Sequence, residues 1–467
     1  MDLETYKDAT ALELGALVAD GQVSPVELAS CALEIAEAAE PTINAYAAIL
    51  RERALADAAV RESEARAGHL RGPLHGVPIA IKDNMLYRGE PTWKGSLTTS
   101  DAPAKTSAPM VQRLLNAGTV IIGRTTTPEM GWKGTGISPR TGITRNPWDP
   151  SRNSGGSSAG AGATVASGAV PIATGTDAGG SVRIPASFCG VVGLKPTLST
   201  IPLWPGTVNE SLSHAGPLTR SVADAHSVLR ITRGPDPRDP QSYWSPPVPD
   251  EPGRRLRIGL VRAPFGIAPD STTHDVLAPA YETLLVSGTA DFTEIDLPDL
   301  PDLPRQIFED LWVTGRGLGF LDLAEQHGDL MDPGLVRLGP LAEQYSLADH
   351  YSTLTARRAF NAALSSLLDA VDLLVMPTLP LTAFAADAEV PEGGEAGAPL
   401  PWITWTPYTY PFNITGQPAI SLPCGFDPHG LPVGLQIVGP WAGDDRVLTY
   451  AATAEHLLSP LVPARHT

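Results

Sequence analysis

The chain is poor in the groups that most often bind metals, cross-link or grip polyanions. Cysteine occurs three times in 467 residues, as Cys31, Cys189 and Cys424, far apart and with no CxxC pair. That excludes a disulfide framework and a cysteine zinc site, and fits buried free thiols in a reducing cytoplasm. The ten histidines are scattered, with no HxH, no HExxH and no Cys/His cluster, so neither a metal nor another cofactor is expected. Basic side chains number 33 against 51 acidic ones, a net charge of -18, and no basic stripe stands out. Nucleic acid is therefore not an expected partner, and the acidity reads as solubility. No apolar run is long enough to span a bilayer. The opening MDLETYKDAT lacks a basic segment followed by an apolar one, so no signal peptide is expected and the expected location is the cytoplasm.

Hydrophobic residues make up 42% of the chain, enough for a large core, while 45 glycines and 46 prolines demand many turns. Ser24-Pro25-Val26-Glu27 combines an N-cap, a proline at the first helical position and a capping-box glutamate. A short strand and an amphipathic helix follow across 43–65. Then strands and helices alternate: a strand over Val77–Ile81, a helix over 107–117, a strand over Thr119–Ile122, a small-residue helix over 157–168 and a strand over 170–174. The segments 231–255 and 388–401 read as loops. Between them come the strand-like Leu256–Val261, two or three helices across 273–370 and the strand-like Leu373–Met376. Strand-like Ala419–Leu422 and Val433–Val438 and a helix over 443–458 close the chain. This is an α/β pattern with a largely buried sheet, and one large core closed by both chain ends is expected. The expectation is a single domain over 1–467, with its core at about 60–230 and 405–460 and a variable, substrate-shaping region at about 231–400.

Two Gly-Gly-Ser units, Gly155-Gly156-Ser157 and Gly179-Gly180-Ser181, flank the small-residue helix. One such unit alone is as well explained by a flexible turn. Glycines before a serine also let backbone N–H groups face a bound atom, and those of Ala178, Gly179, Gly180 and Ser181 are candidates for an oxyanion hole. Pro185 suits the first turn of a helix starting near Ser181. A serine nucleophile needs a base, and no histidine lies in this segment. Lys82 follows the apolar strand, where burial would disfavour its ammonium form. The competing reading of Lys82 is a surface lysine or one paired with adjacent Asp83.

These residues together resemble the amidase signature family. Gly76-Val77-Pro78-Ile79-Ala80-Ile81-Lys82-Asp83-Asn84 is similar to its lysine motif. Asn146-Pro147-Trp148-Asp149 with Gly155-Gly156-Ser157-Ser158, and then Asp177-Ala178-Gly179-Gly180-Ser181-Val182-Arg183-Ile184-Pro185, are similar to its serine blocks. Asn413–Ala419 and Gly430–Gln436 are similar to its closing strands. The resemblance implies a single large mixed β-sheet sandwiched by helices. It also implies a triad of Ser181 as nucleophile, Ser157 as proton relay after a cis peptide bond, and Lys82 as base. Ser158, Asp177 and Arg183 match supporting positions. Two departures are mild: Ala159 replaces a frequent glycine, and Ala178 stands where Thr or Ile is common.

The implied activity is hydrolysis of C–N bonds in small amides through an acyl-enzyme, by a monomer or homodimer acting on a small-molecule amide or carbamate. Aryl amides and anilides are favoured, with carbamate (urethane) and ester hydrolysis alongside. The alternative is the amidase subunit of a glutamine-dependent tRNA amidotransferase. Trp402, Trp405, Tyr408 and Tyr410, with Met130 and Trp132, are candidates for an apolar aryl pocket; core packing explains them equally well. Gly156–Gly160 also fits a G-x-S-x-G elbow with Ser158 as nucleophile, but that motif needs a strand before it, and the preceding residues are loop-forming.

Overall fold

The computed structural model describes residues 1–242, 254–297 and 302–461. The part of the expected 231–255 loop that spans 243–253 lies outside the described residues. Among the described residues thirteen strands run, in chain order, β1 Tyr46–Ile49, β2 Pro78–Lys82, β3 Val120–Thr125, β4 Ile137–Ser138, β5 Gly142–Ile143, β6 Ile172–Asp177 and β7 Val192–Lys195. They continue as β8 His214–Thr219, β9 Arg257–Leu260, β10 Asp291–Glu294, β11 Leu373–Pro377, β12 Ala419–Phe426 and β13 Pro432–Val438. Strands β4 and β5 form a separate ribbon. The other eleven make one sheet in the order β1-β3-β2-β6-β8-β7-β12-β13-β11-β9-β10.

The sheet is mixed. Strand β2 runs parallel to both β3 and β6, whereas β6, β8, β7, β12, β13 and β11 follow one another antiparallel. The central strands are buried along their whole length, which explains why they read as continuous apolar runs rather than as alternating patterns. The C-terminal strands β12 and β13 insert between β7 and β11, so both ends of the chain share the sheet. The region 231–400 supplies β9, β10 and β11 at its edge.

The capping box at Ser24 and Glu27 starts the helix Pro25–Ile43. The helix Ala159–Ala166 is built from small residues because it packs almost backbone to backbone. A Cβ on Gly160 would lie 2.0 Å from the Ala45 carbonyl oxygen, and one on Gly162 would lie 2.9 Å from Pro185 Cβ. The 273–370 region departs from the expectation of two or three helices. Longer helices, Ser271–Val286, Asp302–Gly319 and Leu347–Ala370, are joined by the short ones Leu321–His327, Pro333–Val336 and Leu338–Ala342. Pro333 and Gly334 break the apolar pattern there into pieces too short for periodicity to resolve. Among the described residues no helix is long and apolar enough to cross a membrane.

The first helices are tied to the core through Asp224. Its buried carboxylate accepts from the backbone N–H groups of Ala11 at 3.0 Å and Leu12 at 3.1 Å. Removing it strands two donors at the start of the helix Ala11–Ala19. Asp224→Ala is expected to destabilise the chain by about 2 kcal/mol, read as a lower urea midpoint at unchanged slope.

Candidate active site

Strand β2 delivers Lys82 to the sheet interior, where it is fully buried. Its Nζ lies 2.8 Å from Ser157 Oγ, 3.0 Å from Ser158 Oγ and 3.0 Å from Thr176 Oγ1. Three hydroxyls surround it, and it forms no ion pair among the described residues. Asp83 faces elsewhere: Arg124 Nε donates to it at 2.8 Å, both side chains being buried. The reading of Lys82 as paired with its neighbour is thereby removed. Burial pushes the Lys82 amine well below the ordinary lysine range; the charge of Arg316 pushes the same way, and that of Asp177 opposes it.

Ser157 and Ser158 sit immediately before the small-residue helix, and the Gly156–Ser157 peptide is cis, as the resemblance implied. A Cβ on Gly156 would lie 2.3 Å from the Thr135 carbonyl oxygen, so a side chain has no room there. The Ser158 N–H donates to the Ser181 carbonyl at 3.1 Å, which joins the two Gly-Gly-Ser units directly.

Strand β6 ends at Asp177, and the loop Ala178–Ser181 leads into the helix Arg183–Cys189. The Asp177 carboxylate accepts from the N–H groups of Gly180 at 2.7 Å and Val182 at 3.1 Å. It also accepts from Arg183 Nε and Nη2, both at 3.0 Å, and from Asn413 Nδ2 at 2.8 Å. Arg183 in turn donates to Thr409 O at 2.9 Å, Gln436 Oε1 at 2.8 Å and Asn413 Oδ1 at 2.7 Å. Burial alone would raise the Asp177 pKa, but Arg183, then Lys195 and Asn413, outweigh it and hold the carboxyl well below the usual range. Gly180 has φ +122, a conformation L side chains rarely adopt. Because its N–H is taken by Asp177, Gly180 leaves the four-donor oxyanion set suggested by the sequence. The N–H groups of Ala178, Gly179 and Ser181 have no hydrogen-bond partner among the described residues.

Ser157, Thr176, Ala178 and Ser181 line a cavity of about 190 Å³. Met130 lines it too, as expected. Trp132, Trp402, Trp405 and Tyr408 do not; Trp132 and Trp402 line a separate cavity with Asp332, Arg337 and Glu389. Trp402 meets Phe308 and Trp312 edge-on at 5.6 and 5.3 Å, and Trp405 stacks on Phe188 at 5.8 Å. Tyr410 packs against Phe308 at 5.0 Å, and the Tyr408 hydroxyl donates to Ile267 O at 2.7 Å. Trp132 lies against Gly334, whose Cβ would fall 2.3 Å from its ring. The aromatic cluster instead backs the serine loop, since a Cβ on Gly179 would lie 2.6 Å from Trp402. The cavity wall is completed by residues the sequence reading missed, among them Leu86, Lys94, Leu203, Val208, Arg316 and Phe320. One signal was present: Trp312, Arg316 and Phe320 recur at i+4 spacing, which sets an arginine on an otherwise apolar stripe.

Ser157 and Ser181 thus line one cavity, with Lys82 buried behind Ser157, and the segments that close the sheet brace them. Among known proteins, the Amidase family profile matches residues 27–448. The chain belongs to the amidase signature family. It is 37% identical to a glutamyl-tRNA(Gln) amidotransferase subunit from Synechococcus sp. (strain WH7803), covering 90% of this chain and 91% of that one. It is 36% identical to an acylamidase from Rhodococcus erythropolis, covering 96% and 94%. The crystal structure of a bacterial aryl acylamidase of this family superposes with a TM-score of 0.85 at 26% identity, covering 96% of each chain. As an amidase signature hydrolase, the chain carries the family's mixed sheet flanked by helices.

Removing one member of a buried ion pair leaves the other uncompensated. Arg183→Met is expected to destabilise the chain by about 3–5 kcal/mol, measured by urea denaturation, and to destroy activity with it.

Proposed function

We propose that this chain hydrolyses C–N bonds of small amides, aryl amides and anilides first, with carbamates and esters as further substrates. Ser181 is the nucleophile, Ser157 the relay and Lys82 the base. The observation that carries this reading is the fully buried Lys82 amine set 2.8 Å from Ser157 Oγ, among hydroxyls and, within the described residues, without a carboxylate partner. A lysine so placed is favoured in its neutral form and has a lone pair for a hydroxyl proton.

The chemistry follows in balanced steps. Ser181 Oγ attacks the amide carbon and passes its proton to Ser157 Oγ, whose own proton goes to Lys82 Nζ. The N–H groups of Ala178, Gly179 and Ser181 are the donors at hand for the oxyanion. Collapse breaks the C–N bond, and the amine leaves with the proton returned through Ser157. Water then attacks the Ser181 ester by the same relay, releasing the acid and restoring both serines and the amine. Ser158 holds Lys82, and the Asp177–Arg183 pair holds the loop. We place the working unit in the whole chain, because strands from both ends and from 231–400 share one sheet.

The second reading, the amidase subunit of a glutamine-dependent tRNA amidotransferase, is favoured by the relative at 37% identity. Against it stands the cavity wall. Glutamine carries an α-ammonium that needs an anionic or strongly accepting partner, and no acidic side chain lines the cavity among the described residues. A stand-alone amidase is the reading the wall supports better.

Turnover of a panel holding a 4-nitroanilide, a 4-nitrophenyl ester, an N-aryl carbamate and glutamine tests the choice, with Ser181→Ala beside it. Release of arylamine, absent in the variant, is expected; ammonia from glutamine alone would move the conclusion to the amidotransferase reading. Lys82→Met is expected to lower kcat by about 10²–10⁴-fold. A change confined to KM would make Lys82 a binding residue instead. Protonated Lys82 cannot accept a proton, so kcat/KM is expected to rise with pH through the lowered Lys82 pKa and then level off. That limb should lie below the free-lysine value of about 10.4. A pH profile equally flat in the wild type and in Lys82→Met would refute the lysine base.

A further inference from the structure

The cavity that holds Ser157 and Ser181 also holds two cations that the proposed hydrolysis does not use, Lys94 and Arg316. They belong to distant stretches of chain but hang on a single residue. The Met130 N–H donates to Lys94 O at 2.7 Å, and Arg316 Nη1 donates to Met130 O at 2.6 Å. Met130 itself is left-handed, at φ 51. The next residue, Gly131, lies so close to the relay serine that a Cβ there would fall 3.2 Å from Ser157 Oγ. Only Gly131 therefore separates the residue that holds the Lys94 main chain and the Arg316 guanidinium from the reacting hydroxyls.

Among the described residues neither Lys94 nor Arg316 forms an ion pair, and Arg316 Nε is buried with no hydrogen-bond partner. Asp83, whose main-chain oxygen accepts from the Lys94 N–H at 3.0 Å, turns its carboxylate to Arg124. Arg316 is only 7% exposed, and its guanidinium lies 4.7 Å from the Trp312 ring centroid and 5.8 Å from that of Phe320, which fix its plane. Two like charges held beside a third buried amine, Lys82, in a wall without acidic side chains among the described residues, are costly unless a ligand brings the missing negative charge. A planar guanidinium with an unpartnered nitrogen and a neighbouring ammonium suit a carboxylate. Leu86, Leu203, Val208 and Phe320 leave apolar surface for the rest of the molecule.

We propose that Lys94 and Arg316 form a carboxylate subsite inside the active-site cavity, and that the preferred amides of this enzyme carry a carboxylate on the acyl or the amine arm; this rests on the amide-hydrolase reading above. The subsite sets specificity by charge, whereas Ser157, Ser181 and Lys82 perform the reaction.

The test compares kcat/KM for matched pairs: succinyl against butanoyl 4-nitroanilide for the acyl arm, and N-acetyl-4-aminobenzoate against N-acetyl-4-toluidide for the amine arm. The wild type should favour the charged member of at least one pair, and that pair identifies the arm. Lys94→Met should lower the charged-to-neutral ratio by about tenfold, mainly through KM, and Lys94→Arg should restore it. A ratio that Lys94→Met leaves unchanged in both pairs overturns the proposal. Calorimetric titration of succinate and 4-aminobenzoate into the Ser181→Ala chain, with and without Lys94→Met, reads the subsite apart from turnover. Binding lost with Lys94 while no anilide is cleaved sinks the amidase reading and upholds the subsite. Cleavage of the anilides without charge preference, and without carboxylate binding, does the reverse.

Discussion

Everything at this site hangs on one buried ion pair. Asp177 and Arg183 are both fully buried and meet at 3.0 Å. Burying two charges is costly, and the cost is met only when the remaining polar atoms find partners. Here they find them in the groups that need fixing. The carboxylate takes two N–H groups of the serine loop. The guanidinium takes Gln436 on β13, and Asn413 and Thr409 just before β12. The pair thus joins the end of β6, the turn carrying Ser181 and the closing segments. Geometry at Ser181 is decided by hydrogen bonds from every side, not by the loop's own preference.

The second constraint is the environment of Lys82. Strand β2 is apolar along its length, so the side chain at its end enters a place where charge is disfavoured. Hydroxyls, unlike carboxylates, satisfy an amine without demanding that it be charged. With Asp83 turned to Arg124, the acid next to Lys82 in sequence is neutralised elsewhere. Residue order along one short stretch thereby separates a structural ion pair from an amine set among hydroxyls.

Much of this was legible in the sequence because it lies in local patterns. Short apolar runs ending in Lys82, paired Gly-Gly-Ser units and the Ser24–Glu27 capping box each express a backbone requirement within a few residues. Most strands were readable in this way, though β7, β8 and β10 were not; the meeting of Lys82 with Ser157 and Ser158 and the bracing by Asp177 and Arg183 came only with the family resemblance. The cavity wall was not. Whether Trp402 reaches the serine cavity or packs on Phe308 depends on a partner about a hundred residues away, and composition is silent on that. Lys94 sits in a stretch with no periodicity, so nothing local assigns its direction. Gly180 shows a finer limit: its glycine identity was read as freeing an N–H, whereas the backbone it permits turns that N–H toward Asp177.

The network around Arg183 also has a temporal meaning. Its partner Gln436 lies 253 residues downstream, and Asn413 lies 236 residues beyond Asp177. A chain growing from its N-terminus at about 5–20 residues per second completes the serine loop long before these partners are made. Through that interval Asp177 and Arg183 lack the groups that complete their hydrogen bonding, and β7 lacks its neighbour β12. Bracing of the Ser181 loop is therefore complete only once β12 and β13 have been made.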